Sequence, residues 1–209
     1  MSLPSNVHVS KHPCLLAKLS RLRSKSTESR EVKSLINDIS LILGCEALAA
    51  SLTPVDGPKG ETPIGSGLGM VEAIQTILPE PVPVHHLGLY REPSTLEPVE
   101  YYNNLPHHVS SSSSGPGTNA SSLAIVVDPV IATGGTCAAA IQTLKEWGVK
   151  RIIVLSVVAA AEGVRRAAEE WPEAVEIWVA GVDAELTPKG MLKPGVGDVG
   201  DRLFLTIGK

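Results

Sequence analysis

The feature that most constrains the fold is a run of five apolar residues, 123–127, which ends in Asp128-Pro129 and leads through a glycine-rich turn into an amphipathic helix. Such an apolar run is typical of a strand buried on both faces of a parallel sheet. Two more strands are predicted, over 152–158 and 175–180, each separated from the one before by a helical pattern. This alternation predicts an α/β fold with a central, mostly parallel sheet flanked by helices.

The N-terminal part has a different pattern. Leucine, isoleucine and valine recur at helical spacing over 10–52, with a break at 25–28, so we expect two helices there. Residues 53–66 are rich in proline and glycine and predict a loop. A short helix is predicted over 67–78. We expect the whole chain, 1–209, to form one domain.

Between these regions the sequence predicts a smaller feature and a flexible segment. A strand is expected over 82–90, and Tyr101 and Tyr102 are expected on an arm that returns beside it. Residues 110–122 read SSSSSGPGTNASS, a low-complexity composition that cannot bury a core and predicts a flexible loop.

Composition excludes several classes of function. The net charge is −4, and a protein that binds nucleic acid needs a surplus of Lys and Arg, so no nucleic-acid partner is expected. The three cysteines are far apart, which predicts neither a zinc site nor a disulfide framework and fits a reducing compartment. No signal peptide and no apolar stretch of membrane-spanning length is recognised, so we expect a cytoplasmic protein with no membrane partner.

The segment 128–136 predicts a phosphate site. It lies between the buried strand and a helix, at the edge of an open α/β sheet where ligands bind. Its glycines are expected to let the backbone curl and approach a ligand, and the first N–H groups of the helix favour an anion. Thr133 and Thr136 can add hydroxyl donors. The segment matches neither the Walker A loop nor GxGxxG, and the plain alternative is a tight turn without a ligand.

A second glycine-rich segment, 194–202, reads PGVGDVGDR. By itself it could be only a sharp loop. Three glycines also leave main-chain N–H and C=O groups accessible to a planar ligand whose edges carry both donors and acceptors. Buried groups that pair with every polar edge of such a ligand would reject a base with another pattern.

Together these two segments resemble the type I phosphoribosyltransferases, and specifically the uracil branch, whose strand also ends in Asp-Pro. The resemblance implies the fold of that family, with a β-arm and a C-terminal base-binding loop. It implies transfer of ribose 5-phosphate from phosphoribosyl pyrophosphate to uracil, giving UMP and pyrophosphate. It further implies Mg²⁺ bound through the pyrophosphate, a homodimer or higher homo-oligomer, and GTP as a candidate activator.

The same resemblance implies roles for individual residues. Asp128 would hold the ribose hydroxyls, while Arg91 on the arm and Asp198 would act at the pyrophosphate. The residues implied for phosphoribosyl pyrophosphate are Arg91, Asp128, Pro129, Val130, Ile131, Ala132, Thr133, Gly134, Gly135, Thr136 and Asp198. Those implied for uracil are Leu192, Gly197, Asp198 and Val199. Cys137, on the apolar face of the helix, is interpreted as a core residue.

The chain departs from the family pattern at one place. Family members carry a strand that ends in a Pro-Ile-Leu-Arg-like stretch, whereas here Gly65 runs directly into Ser66. A strand and an arginine are therefore expected to be missing at this junction. Two alternatives to a uracil enzyme stay open: a phosphoribosyltransferase for another base, and a catalytically impaired or regulatory relative that binds nucleotide.

Overall fold

The structure, a computed structural model, describes residues 2–51, 68–92, 98–105 and 121–204. The predicted loop over 53–66, the Gly65/Ser66 junction and most of the predicted flexible segment 110–122 lie outside the described residues. The strands are β1 (Val7–Val9), β2 (Leu87–Arg91), β3 (Pro98–Asn103), β4 (Ala124–Val127), β5 (Val130–Ile131), β6 (Ile152–Ala160), β7 (Val175–Asp183), β8 (Glu185–Leu186) and β9 (Leu192–Lys193). The helices are α1 (Pro13–Leu22), α2 (Ser29–Ser51), α3 (Leu68–Ile77), α4 (Gly135–Trp147), α5 (Ala161–Glu169) and α6 (Val199–Phe204).

A five-stranded parallel sheet forms the centre of the described structure. Its order is β1-β7-β6-β4, and β5 pairs with β6 beyond the end of β4. All nine residues of β6 are buried, which explains why this strand is apolar without alternation. The predicted parallel α/β fold is confirmed. Strand β6 pairs with β4, β5 and β7, and the candidate site lies where these strands end.

Helices cover both faces of the sheet. Leu15, Ile36 and Met70, from α1, α2 and α3, join a core on one face with Ile125 and other strand residues. On the other face, α4 and α5 pack against the alternate residues of the same strands. Successive side chains of a strand point to opposite faces, so each buried strand contributes to both cores.

Helix α4 ends at a glycine cap. Gly148 adopts a left-handed conformation, φ 97°, and its N–H group bonds back to the last turn of the helix. This conformation suits glycine, which has no Cβ to clash with the preceding turn. After this glycine the chain continues into β6.

Helix α2 has the length and apolar composition of a membrane-crossing helix, the one such helix within the described residues. Its apolar residues, however, belong to the core. Val32, Leu35, Ile36, Ile39 and Leu43 are all buried against neighbouring elements. Its composition is therefore that of a core helix.

The remaining strands form two small antiparallel sheets. Strands β2 and β3 make the predicted arm, with Leu87 opposite Asn103. Strands β8 and β9 form a short hairpin that leads into the second glycine-rich segment. The arm begins later than the predicted start at residue 82, and the hairpin was not predicted at all.

Candidate functional site

The site lies at the carboxyl edge of the sheet, where the chain leaves β4, turns at Asp128 and Pro129, and returns to pair with β6 as β5. Two hydrogen bonds hold this turn to β6: the N–H of Asp128 donates to Leu155 O (3.1 Å), and the N–H of Val158 donates to Pro129 O (3.2 Å). The Asp128 carboxylate also accepts from the N–H of Val130 (3.4 Å). The turn is thus fixed by the strand on which it lies.

A small cavity of about 110 Å³ opens at the N-terminus of α4. Its lining residues come from the predicted phosphate segment, with one addition: Asp128, Val130, Ile131, Ala132, Gly134, Thr136 and Cys137. The first N–H groups of a helix have no partner within it and carry partial positive charge, so the position favours an anion. The predicted phosphate segment therefore forms one concave surface, although Pro129, Thr133 and Gly135 are not among the described residues that line it.

A larger cavity, about 450 Å³, adjoins the same turn. Asp128, Pro129, Val130 and Ala132 line it on one side, and Gly197, Asp198, Val199 and Gly200 on the other. The two glycine-rich segments, 58 or more positions apart in the chain, thus face a single space. This volume falls within the range typical of small-molecule sites.

The second glycine-rich segment has a buried half and an exposed half. Gly195 and Val196 are buried, whereas Gly197 and Asp198 are exposed toward the cavity. Gly195 and Gly197 both have positive φ, 67° and 75°, a conformation that favours glycine. A Cβ on Gly195 would lie 2.4 Å from Leu192 O, so the backbone there is too close for any side chain.

A buried ion pair holds the inner half of this segment. Asp183, 4% exposed, accepts from the Gly195 N–H (2.8 Å) and from both terminal nitrogens of Arg23 (3.0 and 2.6 Å). Arg23 also donates to Gly195 O (2.9 Å). Both backbone groups of Gly195 are therefore occupied by this pair.

Arg202 holds the segment from its other end. Its guanidinium donates to Val196 O (2.6 Å) and to two carbonyls at the end of α1, Leu22 O (2.6 Å) and Ser24 O (3.0 Å). A cation at this position also suits the negative end of the helix dipole. The Arg202 side chain therefore closes the loop by binding backbone carbonyls.

Among the described residues, some that the resemblance implies for substrate binding line neither the small cavity nor the larger one. Leu192, within the described part of the chain, lines neither cavity: the side chain is partly buried against the hydrophobic core on the α1–α3 face of the sheet, and the backbone pairs with Leu186 in the β8–β9 hairpin. Arg91 is described only as the last residue of β2, and its side chain lies outside the described structure. Gly135 packs against Arg166 of α5 and Pro98 of β3.

Burial raises the pKa of the Cys137 thiol well above its ordinary value, and the charge of Asp128 adds to the effect. The thiol therefore stays protonated and is a poor nucleophile at neutral pH. Cys137 is a core residue, as predicted, that also touches the small cavity.

Four residues that line the larger cavity lie outside both predicted segments: Gly190 and Met191 from the β8–β9 turn, and Leu203 and Phe204 from α6. One signal was available for α6, because Val199 and Leu203 are spaced as neighbours on one face of a helix. The three glycines at 195, 197 and 200 instead indicate a loop, so the sequence does not predict α6. These residues give the cavity an apolar wall opposite Asp128.

The sequence model described as uracil phosphoribosyltransferase matches residues 9–66 and 64–206 of this chain. The break between the two matched segments falls at the Gly65/Ser66 junction. The uracil phosphoribosyltransferase of Finegoldia magna is 40% identical over 220 residues, covering 97% of this chain and 99% of that protein. That alignment is longer than the 209 residues present here, so some positions of the bacterial protein have no counterpart in this chain.

Two further similarities, one in sequence and one in structure, also extend over nearly the whole chain. The putative uracil phosphoribosyltransferase urg2 of Schizosaccharomyces pombe is 38% identical over 206 residues, covering 96% of this chain and 90% of that protein. Among solved structures, the AQ2163 protein of Aquifex aeolicus has a TM-score of 0.79 at 27% identity, covering 96% and 98% of the two chains.

A more distant structure is similar in fold only. The adenine phosphoribosyl transferase of Trypanosoma brucei has a TM-score of 0.54 at 17% identity, covering 91% and 90% of the two chains. The type I phosphoribosyltransferase fold expected from the sequence is therefore confirmed. With a matching family model over nearly its whole length and relatives near 40% identity, the chain belongs to the uracil phosphoribosyltransferase family.

Proposed function

We propose that this protein transfers the 5-phosphoribosyl group of phosphoribosyl pyrophosphate to N1 of uracil, giving UMP and pyrophosphate, a reaction of pyrimidine salvage. The observation that carries the proposal is the shared cavity, which a phosphate-type turn bounds on one side and an exposed glycine-rich backbone on the other. Membership of the family supports the same reaction. The comparisons give no support to the alternative of an impaired or regulatory relative.

The phosphate end of the substrate fits the small cavity. The N-terminal N–H groups of α4 and the hydroxyl of Thr136 would bind the 5′-phosphate, which needs no cationic side chain there. Asp128 stands between this cavity and the larger one and would accept hydrogen bonds from the ribose hydroxyls. Binding at both groups would fix the anomeric carbon toward the larger cavity, and positioning of this kind supplies much of the acceleration in such reactions.

The base would fit the side of the larger cavity that the second glycine-rich segment lines. Main-chain groups of Gly197 to Val199 would pair with the N–H and C=O groups of uracil, while Met191 and Phe204 would cover its apolar surface. The role implied for Leu192 is one for its backbone, and packing of its side chain against the core is compatible with that role. In the reaction, the bond from the anomeric carbon to pyrophosphate breaks, the bond to uracil N1 forms, and the N1 proton is released.

Two carboxylates, Asp128 and Asp198, line the larger cavity, and oxygen ligands beside substrate phosphates are the donors that Mg²⁺ uses. The residues present therefore fit a magnesium ion held mainly by the pyrophosphate. Such an ion, when bound, supplies positive charge to the leaving group. Among the described residues no group of three or more His, Cys, Asp or Glu side chains could hold a metal by itself.

We also infer from the family resemblance that Arg91 adds positive charge at the pyrophosphate, that the protein forms a homodimer or larger assembly, that GTP activates it, and that it acts in the cytoplasm. Each of these remains a proposal that can be tested separately.

The test of the main proposal is synthesis of UMP from uracil and phosphoribosyl pyrophosphate in the presence of Mg²⁺. Orotate, cytosine, hypoxanthine and adenine serve as competing bases. We expect UMP and pyrophosphate in equal amounts with uracil and little product with the other bases. Turnover of a different base would reassign the substrate, and binding of phosphoribosyl pyrophosphate without turnover of any base would favour the regulatory alternative.

A further inference from the structure

The proposed base-binding backbone depends on a segment that has no regular secondary structure of its own. Residues 194–198 connect the β8–β9 hairpin to α6, and Gly197 and Asp198 of this connection line the larger cavity. A backbone that recognises a base through its N–H and C=O groups must hold them in fixed directions, because a misplacement of about 1 Å can lower the rate about a hundredfold. Something outside the segment must therefore hold it.

We propose that Arg23 and Asp183 are positioning residues for base binding. They act through Gly195, whose N–H and C=O groups are both engaged by this pair, at 2.8 and 2.9 Å. With the peptide groups on either side of Gly195 fixed, the chain can present only the following groups, from Gly197 onward, to the cavity. This inference rests on the proposed function, because it assigns the effect to the uracil side of the site.

The geometry is that of a rigid support. Arg23 and Asp183 form a two-point contact, Nη1 with Oδ2 and Nη2 with Oδ1. Paired contacts of a planar guanidinium with a carboxylate fix orientation as well as distance. Asp183 ends the central strand β7, and Arg23 directly follows α1, so the support connects the loop to the sheet on one side and to a helix on the other.

Arg23 cannot be replaced by lysine without loss. A lysine ammonium is a single point of charge on a flexible stem, whereas the guanidinium here binds two carboxylate oxygens and the Gly195 carbonyl together. Arg21, two residues earlier, provides the matched control. It is 68% exposed and pairs with Glu31 on α2, away from the loop.

The experiment compares Arg23→Met, Arg23→Lys, Asp183→Asn and the control Arg21→Met with the unchanged protein. We expect Arg23→Met to raise the KM for uracil about tenfold to a hundredfold. The KM for phosphoribosyl pyrophosphate should rise much less, because only Asp198 of this segment faces that substrate and the 5′-phosphate turn is held independently by β6. Arg23→Lys and Asp183→Asn should give smaller increases, and Arg21→Met none. A fully folded Arg23→Met protein with an unchanged KM for uracil would overturn the inference, and so would an equal loss for both substrates.

Hydrogen exchange of backbone amides keeps the test independent of turnover. In Asp183→Asn and Arg23→Lys, which retain most of the packing, amides of 195–199 should exchange faster than in the unchanged protein. Amides of the phosphate segment 128–136 should be unaffected. If the unchanged protein makes no UMP, the proposed function fails, and the exchange rates still decide on the support: equal rates at 195–199 in all variants would refute it.

Discussion

The backbone of Gly134, in the turn before α4, lies directly against the carbonyl group of Gly163 in α5: a Cβ on Gly134 would stand 2.2 Å from that oxygen. The relationship is mutual, since a Cβ on Gly163 would stand 2.0 Å from Ala132 O. The sequence predicted that glycine lets the backbone curl and approach a ligand here, and the structure adds a second reason for glycine. Glycine at this position is also required by the contact between the turn and α5.

Gly134→Ala should consequently lower stability as well as ligand binding. The φ of 79° already disfavours a side chain by about 1–2 kcal/mol, and the contact with Gly163 adds to this. Gly148→Ala is the control, because Gly148 also has positive φ, 97°, but lies exposed at the end of α4. We expect the melting temperature to fall further for Gly134→Ala than for Gly148→Ala. Equal decreases would mean that the turn can move away from α5.

Asp128→Asn should reduce turnover while leaving the fold intact. An asparagine oxygen can still accept from the N–H of Val130, so the turn retains its local bond. The loss of charge removes an interaction with the ribose hydroxyls, and single electrostatic contacts of this kind contribute about a hundredfold or more to kcat. Steady-state kinetics and a thermal melt are the measurements. Unchanged kinetics in a folded variant would remove Asp128 from the site.

The three cysteines should differ in reactivity. Cys14 and Cys45 are exposed, whereas Cys137 is buried and its pKa is raised by burial and by Asp128. Because the thiolate is the reacting form, we expect an alkylating reagent at neutral pH to modify the first two and leave Cys137 unmodified until the protein unfolds. Mass spectrometry of the labelled peptides gives the answer. Rapid labelling of Cys137 in the folded protein would contradict its assignment to the core.

Glu176 of β7 should make stability fall in acid. Burial acts to raise its pKa, but hydrogen bonds from Ser51, Arg151 and Trp178 and the charge of Arg151 outweigh it, so the pKa lies below the ordinary 4.5. A carboxylate with a lowered pKa in the folded state stabilises the protein above its unfolded pKa, and this stabilisation is lost as the pH falls through the folded pKa.

The measurement for Glu176 is the free energy of unfolding at a series of pH values, with Glu176→Gln as the comparison. The difference in stability between the two proteins should be greatest near neutral pH and should shrink below about pH 4.5. A difference that does not change with pH would mean that Glu176 acts through packing and not through its charge.

The junction of Gly65 and Ser66 yields a prediction about stability. Within the described residues, no strand pairs with the side of β4 that faces away from β6, although all four residues of β4 are buried. A missing inner strand would remove about five apolar side chains worth roughly 1.5–3 kcal/mol each, against a net stability of about 5–15 kcal/mol. We therefore expect the chain as printed to be unstable or to aggregate when expressed alone.

Insertion of a family-like strand ending in arginine at this junction should raise both the melting temperature and the rate of UMP formation. An insert of the same length that ends in glutamine separates the effect of the strand from that of the arginine. If the printed chain melts cooperatively and makes UMP as fast as the extended one, then nothing is missing from it and residues 53–66 already supply the strand.

How far the sequence predicts the structure depends on burial and on sequence separation. Apart from the two-residue strand β5, the elements from β4 to β7 were predicted within a few residues, because the strands are continuously apolar and Gly148 marks the end of α4. Strand β1 was missed because a three-residue edge strand carries too short a pattern. The contact of Arg23 with Asp183 joins residues 160 positions apart, and no local pattern reports such a pair.

The hydrogen bond from Arg202 to Leu22 O joins residues 180 positions apart in the chain. Contacts of this range repay the entropy of loop closure only after the intervening chain is ordered, so they form late in folding. The same contacts belong to loops and helix ends, which open at lower free energy than a buried central strand such as β6. Loss of the binding surface and global unfolding are therefore separate events. Mild denaturant should abolish recognition of the base while the sheet remains folded.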